Sequence, residues 1–202
     1  MSHFPDGFFR RIDESADTVF YEPARLVTHI DDAAIDAVAA LYDELAITGR
    51  VLDLMGSWIS HFASPPDKLT VLGMNEAELQ ANPMASSVVT HDLNRSPSLP
   101  FPDGDFDDVV CAVSVDYLTQ PVAVFNEVQR VLRPGGRFVC TFSNRCFHTK
   151  VIKGWLQATD QQRCQIVATY FALADGFAPA VIEDRSPVGI GDPLFAVWAR
   201  LA

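Results

Sequence analysis

Phe101-Pro102-Asp103-Gly104-Asp105-Phe106-Asp107-Asp108-Val109-Val110, followed by Leu132-Arg133-Pro134-Gly135-Gly136-Arg137-Phe138-Val139, decides the fold. The first stretch runs into an apolar segment, Val109 to Val113, of the kind that forms a strand buried on both faces. From Pro121 onward, Val122, Phe125, Val128 and Val131 recur at helical steps. Pro134-Gly135-Gly136 then stops the helix and opens a second apolar run, Arg137 to Phe142. Strand, helix, tight turn and strand make one crossover unit of a parallel sheet.

Outward from this unit the alternation continues. Asp31-Asp32 are N-cap residues for a helix in which Ala34, Ile35, Val38, Leu41, Tyr42 and Leu45 repeat at three- and four-residue steps, with Gly49 as its stop. Val51 to Met55 and Leu69 to Met74 are strand-like, with a helical turn expected over Ser57 to Phe62; Val88 to Thr90 makes a third strand. After Phe147 come helices over Lys150 to Ala158 and Gln161 to Ala174, ended by Gly176, and then Val181 to Glu183 and Leu194 to Ala199 close the sheet. Helices alternating with strands predict an α/β, doubly wound, Rossmann-like sheet with flanking helices. No repeat or linker divides the chain, so residues 1–202 read as a single domain. Residues 1–30, aromatic and charged without period, form an N-terminal cap on a core of residues 31–202.

The 202 residues are 49% hydrophobic and 20% charged, enough for one sizeable core. A net charge of −11 repels a phosphate backbone, so no nucleic-acid partner is expected. No run approaches the length of a membrane span and no basic leader precedes an apolar stretch, which predicts a soluble cytoplasmic protein, a monomer or homodimer, with no membrane partner. Cys111, Cys140, Cys146 and Cys164 lack C-x-x-C spacing, so neither a metal site nor a disulfide framework is expected. Cys111 and Cys140 sit in apolar runs as small hydrophobes, whereas Cys146 lies among polar residues.

Leu99-Pro100-Phe101-Pro102-Asp103-Gly104-Asp105-Phe106-Asp107-Asp108-Val109-Val110 and Leu132-Arg133-Pro134-Gly135-Gly136-Arg137 resemble the central half of class I S-adenosylmethionine (SAM)-dependent methyltransferases of the methyltransferase type 11 kind. The likeness covers about residues 50 to 145. It implies a seven-stranded sheet, mostly parallel with the last strand antiparallel. It also implies SAM as cofactor, S-adenosylhomocysteine as product and a small-molecule acceptor. A SAM-binding protein without turnover, serving as sensor or partner subunit, is the alternative.

Ligands of doubly wound sheets bind beyond the carboxyl ends of the strands. After the first run, Asp53-Leu54-Met55-Gly56-Ser57-Trp58-Ile59 stands where the family has D-L-G-x-G-x-G, with Met55, Ser57 and Ile59 aligned to the glycines. Glycines there admit a pyrophosphate, which SAM lacks, so this loop speaks against NAD, FAD and ATP while leaving SAM admissible. The resemblance gives Asp53 the donor's ammonium group, with Met55, Gly56 and Ser57 beside it; alternatively Asp53 ties down its own loop. Asn75 occupies the place of the ribose-binding acid, with Glu76 in reserve, although Asn75 equally suits the N-cap of a helix. Asp92 and Leu93 match the pair that meets the adenine, unless Asp92 only forms a turn, and Val113 and Ser114 pass under the methionine portion.

Methyl transfer is an in-line displacement needing alignment, exclusion of water and, for a protonated acceptor, a base. The candidates for that work are Asp116, Tyr117, Asn144 and His148, with Asp116 read either as base or as a loop acid. Tyr21, Arg25, His29 and Arg145 are the candidates for holding the acceptor.

Overall fold

A computed structural model describes residues 4–189 and 191–202. In chain order the elements are α1 (Asp17–Phe20), α2 (Asp32–Glu44), β1 (Arg50–Leu54), β2 (Lys68–Gly73), α3 (Glu76–Gln80), β3 (Ser87–Thr90) and β4 (Phe106–Ala112). A 3₁₀ turn (Val115–Tyr117), α4 (Pro121–Val131), β5 (Leu132–Phe142), α5 (Lys153–Leu156), α6 (Asp160–Leu173), β6 (Val181–Asp184) and β7 (Phe195–Arg200) follow. The seven strands form one sheet in the order β3-β2-β1-β4-β5-β7-β6. β7 runs antiparallel to both β5 and β6, and the other pairings are parallel. The doubly wound sheet with an antiparallel last strand is the one expected from the sequence.

The central strands are buried on both faces, and their alternation divides the core in two. Leu52, Leu54, Val109, Cys111, Phe138 and Cys140 point to the side covered by α4 and α6. Val51, Val71, Val110 and Val139 point to the side covered by Ala34, Val38, Leu41 and Tyr42 of α2. That alternation places Asp53 between Leu52 and Leu54, facing α2.

Local chemistry sets several boundaries differently from the expectation. α2 is capped by Asp31, which accepts from the Ala34 N–H at 2.9 Å, but it ends at Glu44, well before Gly49. The stop is a Schellman turn in which Ile47 N–H donates to Tyr42 and Ala46 N–H to Asp43, with Ala46 at a φ of 52°. Gly49 serves close packing instead, since a Cβ there would lie 2.5 Å from the Asp107 carboxylate. No helix forms over Ser57 to Phe62, and the whole crossover from β1 to β2 is irregular. Its side chains and proline pair explain this. The Ser60 hydroxyl bonds to the Asp53 carboxylate, Trp58 donates to the Val27 carbonyl at 3.0 Å, Phe62 packs on Tyr42, and Pro65-Pro66 disfavours helix just upstream. β5 begins at Leu132, directly after α4, because Leu132 pairs with Phe106 across a register shift; Pro134-Gly135-Gly136 lies inside the strand. The helix expected over Lys150 to Ala158 is only the single turn α5.

The N-terminal residues are pinned to the core. Lys150, completely buried, donates to the Ser15 carbonyl at 2.7 Å and pairs with Asp13 and Asp17 at 3.1 and 3.2 Å. Asp17 also holds Arg11 at 2.7 Å and accepts from Asn94 at 2.8 Å. Phe4, Phe8 and Phe9 stack against one another, and Phe4 and Phe9 also stack on Tyr170 of α6. The cap is thereby held over the carboxyl ends of the strands.

Candidate functional site

Where β1 and β2 end, their loops nearly touch. Gly56 N–H donates to the Leu72 carbonyl at 2.9 Å, and a Cβ on Gly73 would stand 2.2 Å from the Gly56 carbonyl oxygen. A Cβ on Gly56 would meet Val71 at 2.6 Å and Asp53 at 2.8 Å. One glycine on each strand end therefore allows the approach. Met55 has a φ of 60°, the conformation that favours glycine. Across the sheet Val113 has a φ of 47°, uncommon for a β-branched residue. Ser114 Oγ donates to the Ala112 carbonyl at 2.9 Å and lies 3.3 Å from the Met55 carbonyl, so the two strained strand ends are tied together. Strain of this kind concentrates where a structure presents its backbone to a ligand.

These ends open into a cavity of about 260 Å³ beneath the cap. Eight of the ten expected cofactor residues line it: Met55, Gly56, Ser57, Asn75, Asp92, Leu93, Val113 and Ser114. Asp53 instead faces an adjoining hollow of about 40 Å³ that shares Met55, Gly56, Ser57, Val113 and Ser114 with the larger one. Glu76 is exposed on α3 and lines neither. Of the acceptor candidates, Tyr21, Arg25, His29, Arg145 and Tyr117 line the large cavity. Asn144 and His148 are exposed outside it, and Asp116 is buried in the 3₁₀ turn, away from both hollows.

The carboxylates have distinct environments. Asp53 is buried and, among the described residues, has only the Ser60 hydroxyl as a bonded partner, so desolvation raises its pKa to about 7. Ser60 and the Ser57 carbonyl are in turn held by Asn82 Nδ2, each at 2.9 Å, which fixes the crossover loop around Asp53. Asp116 is raised further, to about 8, by burial, and its Oδ2 has no hydrogen-bond partner among the described residues. Asp92 Oδ1 accepts from the Asn94 and Arg95 N–H groups, a turn motif that leaves Oδ2 free of them.

Asn75 is fully engaged by protein. Its Oδ1 caps α3 through the Glu78 N–H at 3.0 Å, and its Nδ2 donates to the Tyr21 and Glu22 carbonyls at 2.9 Å each. The carboxylate that reaches the cavity from this region is Glu78, one turn along. It accepts from Ser57 Oγ and from the Arg25 N–H, both at 2.6 Å. Sequence reasoning missed Glu78, although Asn75-x-x-Glu78 is the spacing of a capping box and marked the residue. It also missed Asn94, whose amide bonds to Asp17, the Tyr117 carbonyl and Thr119, and Asn82; neither lies in a recognisable motif.

Among the described residues no cluster of His, Cys, Asp and Glu is arranged to hold a metal ion, and no helix is long and apolar enough to cross a membrane. The four cysteines are free thiols, and Cys146 lines the cavity.

A seven-stranded sheet of this order, with a hollow across the ends of β1 to β4, defines the fold of class I SAM-dependent methyltransferases. Residues 63–140 match the family model described as a methyltransferase domain. It is 31% identical over 77 residues to a demethylmenaquinone methyltransferase of Symbiobacterium thermophilum, covering 38% of this chain and 30% of that one. It is 30% identical over 118 residues to a ubiquinone/menaquinone biosynthesis C-methyltransferase of Hahella chejuensis, covering 54% of this chain and 45% of that one. The matches thus span less than half the length of these curated relatives. Among solved structures, a SAM-dependent methyltransferase of Aquifex aeolicus superposes with a TM-score of 0.59 at 16% identity, over 84% of this chain and 92% of that one. The 1,6-didemethyltoxoflavin-N1-methyltransferase of Burkholderia thailandensis, solved with bound 1,6-didemethyltoxoflavin and S-adenosylhomocysteine, gives 0.62 at 17% identity, over 85% and 79%. At such identities these structures speak for the fold.

Proposed function

We propose that the chain binds SAM across the carboxyl ends of β1 to β4 and transfers its methyl group to a small molecule held beneath the N-terminal cap. The observation that carries this reading is the Gly56–Gly73 contact opening into the 260 Å³ cavity, with Asp92 presenting a carboxylate oxygen at its far end. The lining suits the donor. Asp53, Glu78 and Asp92 offset the positive charge of a sulfonium and an ammonium group. When bound, SAM supplies an electrophilic methyl carbon whose transfer leaves a neutral thioether.

Each residue has a task in this reading. Asp53 faces the small hollow and accepts from the donor's ammonium group, losing its own proton as it does so. Glu78, rather than Asn75, offers the carboxylate for the ribose hydroxyls, and Asp92 accepts from the adenine amino group. Met55, Val113 and Ser114 set the backbone beside the methionine portion. On the other side Tyr21, Tyr117 and Phe147 wall the acceptor space and exclude water. Tyr117 Oη accepts from the Phe147 N–H at 2.8 Å, which leaves its own proton available to donate. The buried Asp116 supports the turn that carries Tyr117. An acceptor that enters protonated gives its proton to solvent at the rim, where His29 and Arg145 stand.

Isothermal titration with SAM and S-adenosylhomocysteine, joined to a labelled-methyl transfer screen, tests the proposal. Binding followed by transfer supports it, whereas binding without transfer to any acceptor favours the alternative of a donor-binding protein without turnover. That alternative draws on one observation, the engagement of Asn75 by the cap. Failure of both nucleosides to bind ends the proposal.

A further inference from the structure

The two halves of the large cavity differ in charge and in shape. The half at the ends of β2 and β3 presents Glu78 and Asp92, whereas the half under the cap presents Arg25 and Arg145, with Asp17 there already paired to Arg11 and Lys150. In a chain with 26 acidic and 15 basic residues, most buried or half-buried guanidinium groups meet a carboxylate, as Arg11, Arg130, Arg137 and Arg163 do. Arg25 does not. Its guanidinium donates to the carbonyls of Phe20 at 2.8 Å and Pro23 at 3.2 Å, and no ion pair to it exists among the described residues. It lies over the rings of Phe20 and Phe147, 4.7 and 5.7 Å from their centroids. This geometry holds the planar group in place while leaving its charge uncompensated. Arg145 is nearly as free: its side chain is 65% exposed, and its nearest carboxylate, Asp192, is 3.9 Å away.

Aromatic faces surround the same space. Phe147 lies 5.2 Å from His29, 5.3 Å from Phe20 and 6.0 Å from Tyr117, and Tyr21 stacks edge-on against Phe20 at 4.9 Å. Tyr21, Tyr117 and Phe147 line the cavity. A continuous aromatic wall beside an uncompensated guanidinium recognises a flat ring carrying a negative group.

We infer that the acceptor is an aromatic carboxylate, its ring against Tyr21, Tyr117 and Phe147 and its carboxylate on Arg25 and Arg145. The identification of this guest as the acceptor rests on the reading of the opposite half as the donor site; the anion site itself stands on its own geometry. A monoanion fits better than a phosphate ester. Asp17 and Glu78 line the same cavity and Asp192 stands 3.9 Å from Arg145, so a dianion is repelled more strongly, and the donor half already claims most of a modest volume. The carboxylate serves as the handle, so the methyl group goes to another atom of the ring or its substituents.

The test is titration of the protein, with and without saturating S-adenosylhomocysteine, by benzoate, 1-naphthoate and indole-3-carboxylate, each against its neutral primary amide. The expected result is that at least one acid binds at least tenfold more tightly than its amide, and that Arg25→Gln and Arg145→Gln each narrow that ratio at least threefold. Arg25 also ties the cap, so the comparison of acid with amide in the unaltered protein, and the exposed Arg145, keep the test sound if Arg25→Gln folds poorly. Equal binding of acid and amide, no binding of any acid at millimolar concentration, or a ratio unchanged in both folded variants overturns the inference. If S-adenosylhomocysteine fails to bind, the donor reading falls, and the ratio measured without it decides the anion site alone.

Discussion

Asn75 Nδ2 donates to the Tyr21 carbonyl at 2.9 Å, so this residue at the end of β2 holds down the cap. Its second amide proton goes to Glu22 and its oxygen caps α3. Asn75→Asp keeps the capping oxygen but turns both donors into acceptors facing two carbonyls. We expect a loss of about 1–3 kcal/mol in urea unfolding, the usual cost of leaving buried polar groups unpaired. Trypsin should also cleave after Arg25 faster than in the unaltered protein. Unchanged cleavage would mean that the cap is held without Asn75.

Asp53 gives a pH-dependent signature. Its folded pKa of about 7 lies above the ordinary 3.8, so the native state binds this proton more tightly than the unfolded state. Its contribution to stability is therefore fully present below pH 4, falls between pH 4 and 7, and is constant above. The slope reaches at most about 1.4 kcal/mol per pH unit. Asp53→Asn has no proton to lose. The stability of the variant relative to the unaltered protein should rise from pH 5 to 7 and level off at pH 8, read from urea midpoints at each pH. The buried Asp116, raised to about 8, and His61, lowered to about 4, titrate in both proteins and cancel in the difference. A difference that is flat across this range would show that Asp53 is ionised throughout.

Asp92 is half-buried, and one of its oxygens is already committed to the turn at Asn94 and Arg95. Asp92→Ala removes that turn and the proposed adenine acceptor together, whereas Asp92→Asn keeps the turn. Both should weaken S-adenosylhomocysteine by about 1–3 kcal/mol in titration calorimetry, since an amide oxygen is the poorer acceptor and its NH₂ opposes an amino group. Full affinity in Asp92→Asn would move the adenine elsewhere in the cavity.

The sheet was legible because its information is local. Val109 to Val113 and Arg137 to Phe142 are apolar runs bounded by turn residues, and the structure places β4 and β5 on them. The crossover after β1 was not legible, because what prevents a helix there is long-range. Asp53 recruits Ser60, Val27 recruits Trp58, and Tyr42 recruits Phe62. The same holds for the end of α2, where Ala46 takes a left-handed conformation that no glycine announced. Within the site, residues next to strand ends were found from their position in the chain. Glu78 and Asn94 act at the cavity through partners 21 or more residues away, such as Ser57 and Tyr117. Asp116 looked like an accessible loop acid, yet the 3₁₀ turn folds it into the interior.

Met55 holds a φ of 60°, a conformation that favours glycine. Replacing a half-buried methionine by glycine ordinarily costs several kcal/mol through lost packing and gained chain entropy. Here relief of the left-handed strain, about 1–2 kcal/mol, offsets part of that loss. Met55→Gly should therefore change stability by no more than about 1–2 kcal/mol, whereas Leu54→Gly, next to it with ordinary strand geometry and complete burial, should cost far more. Thermal unfolding of the two variants side by side makes the comparison, and equal losses would contradict it.

Gly73→Ala asks whether the contact between the ends of β1 and β2 is required. The added methyl would lie 2.2 Å from the Gly56 carbonyl oxygen and 3.1 Å from Leu79, the first of these a backbone atom that cannot rotate aside. Relief demands that the Met55–Ser57 segment move off β2, which breaks the Gly56 to Leu72 hydrogen bond and shifts Ser57 away from Glu78. Gly104→Ala is the control. It has a positive φ, 62°, which Gly73 does not share, and its nearest neighbour would be a flexible arginine carbon 4.0 Å away. The control should lose only the cost of left-handed alanine, about 1–2 kcal/mol, and keep its affinity for S-adenosylhomocysteine. Gly73→Ala should lose more stability and at least tenfold in that affinity, because the loop it displaces carries Met55, Gly56 and Ser57 at the donor cavity. Retained affinity in Gly73→Ala would mean that the loop can leave β2 without disturbing the ligand.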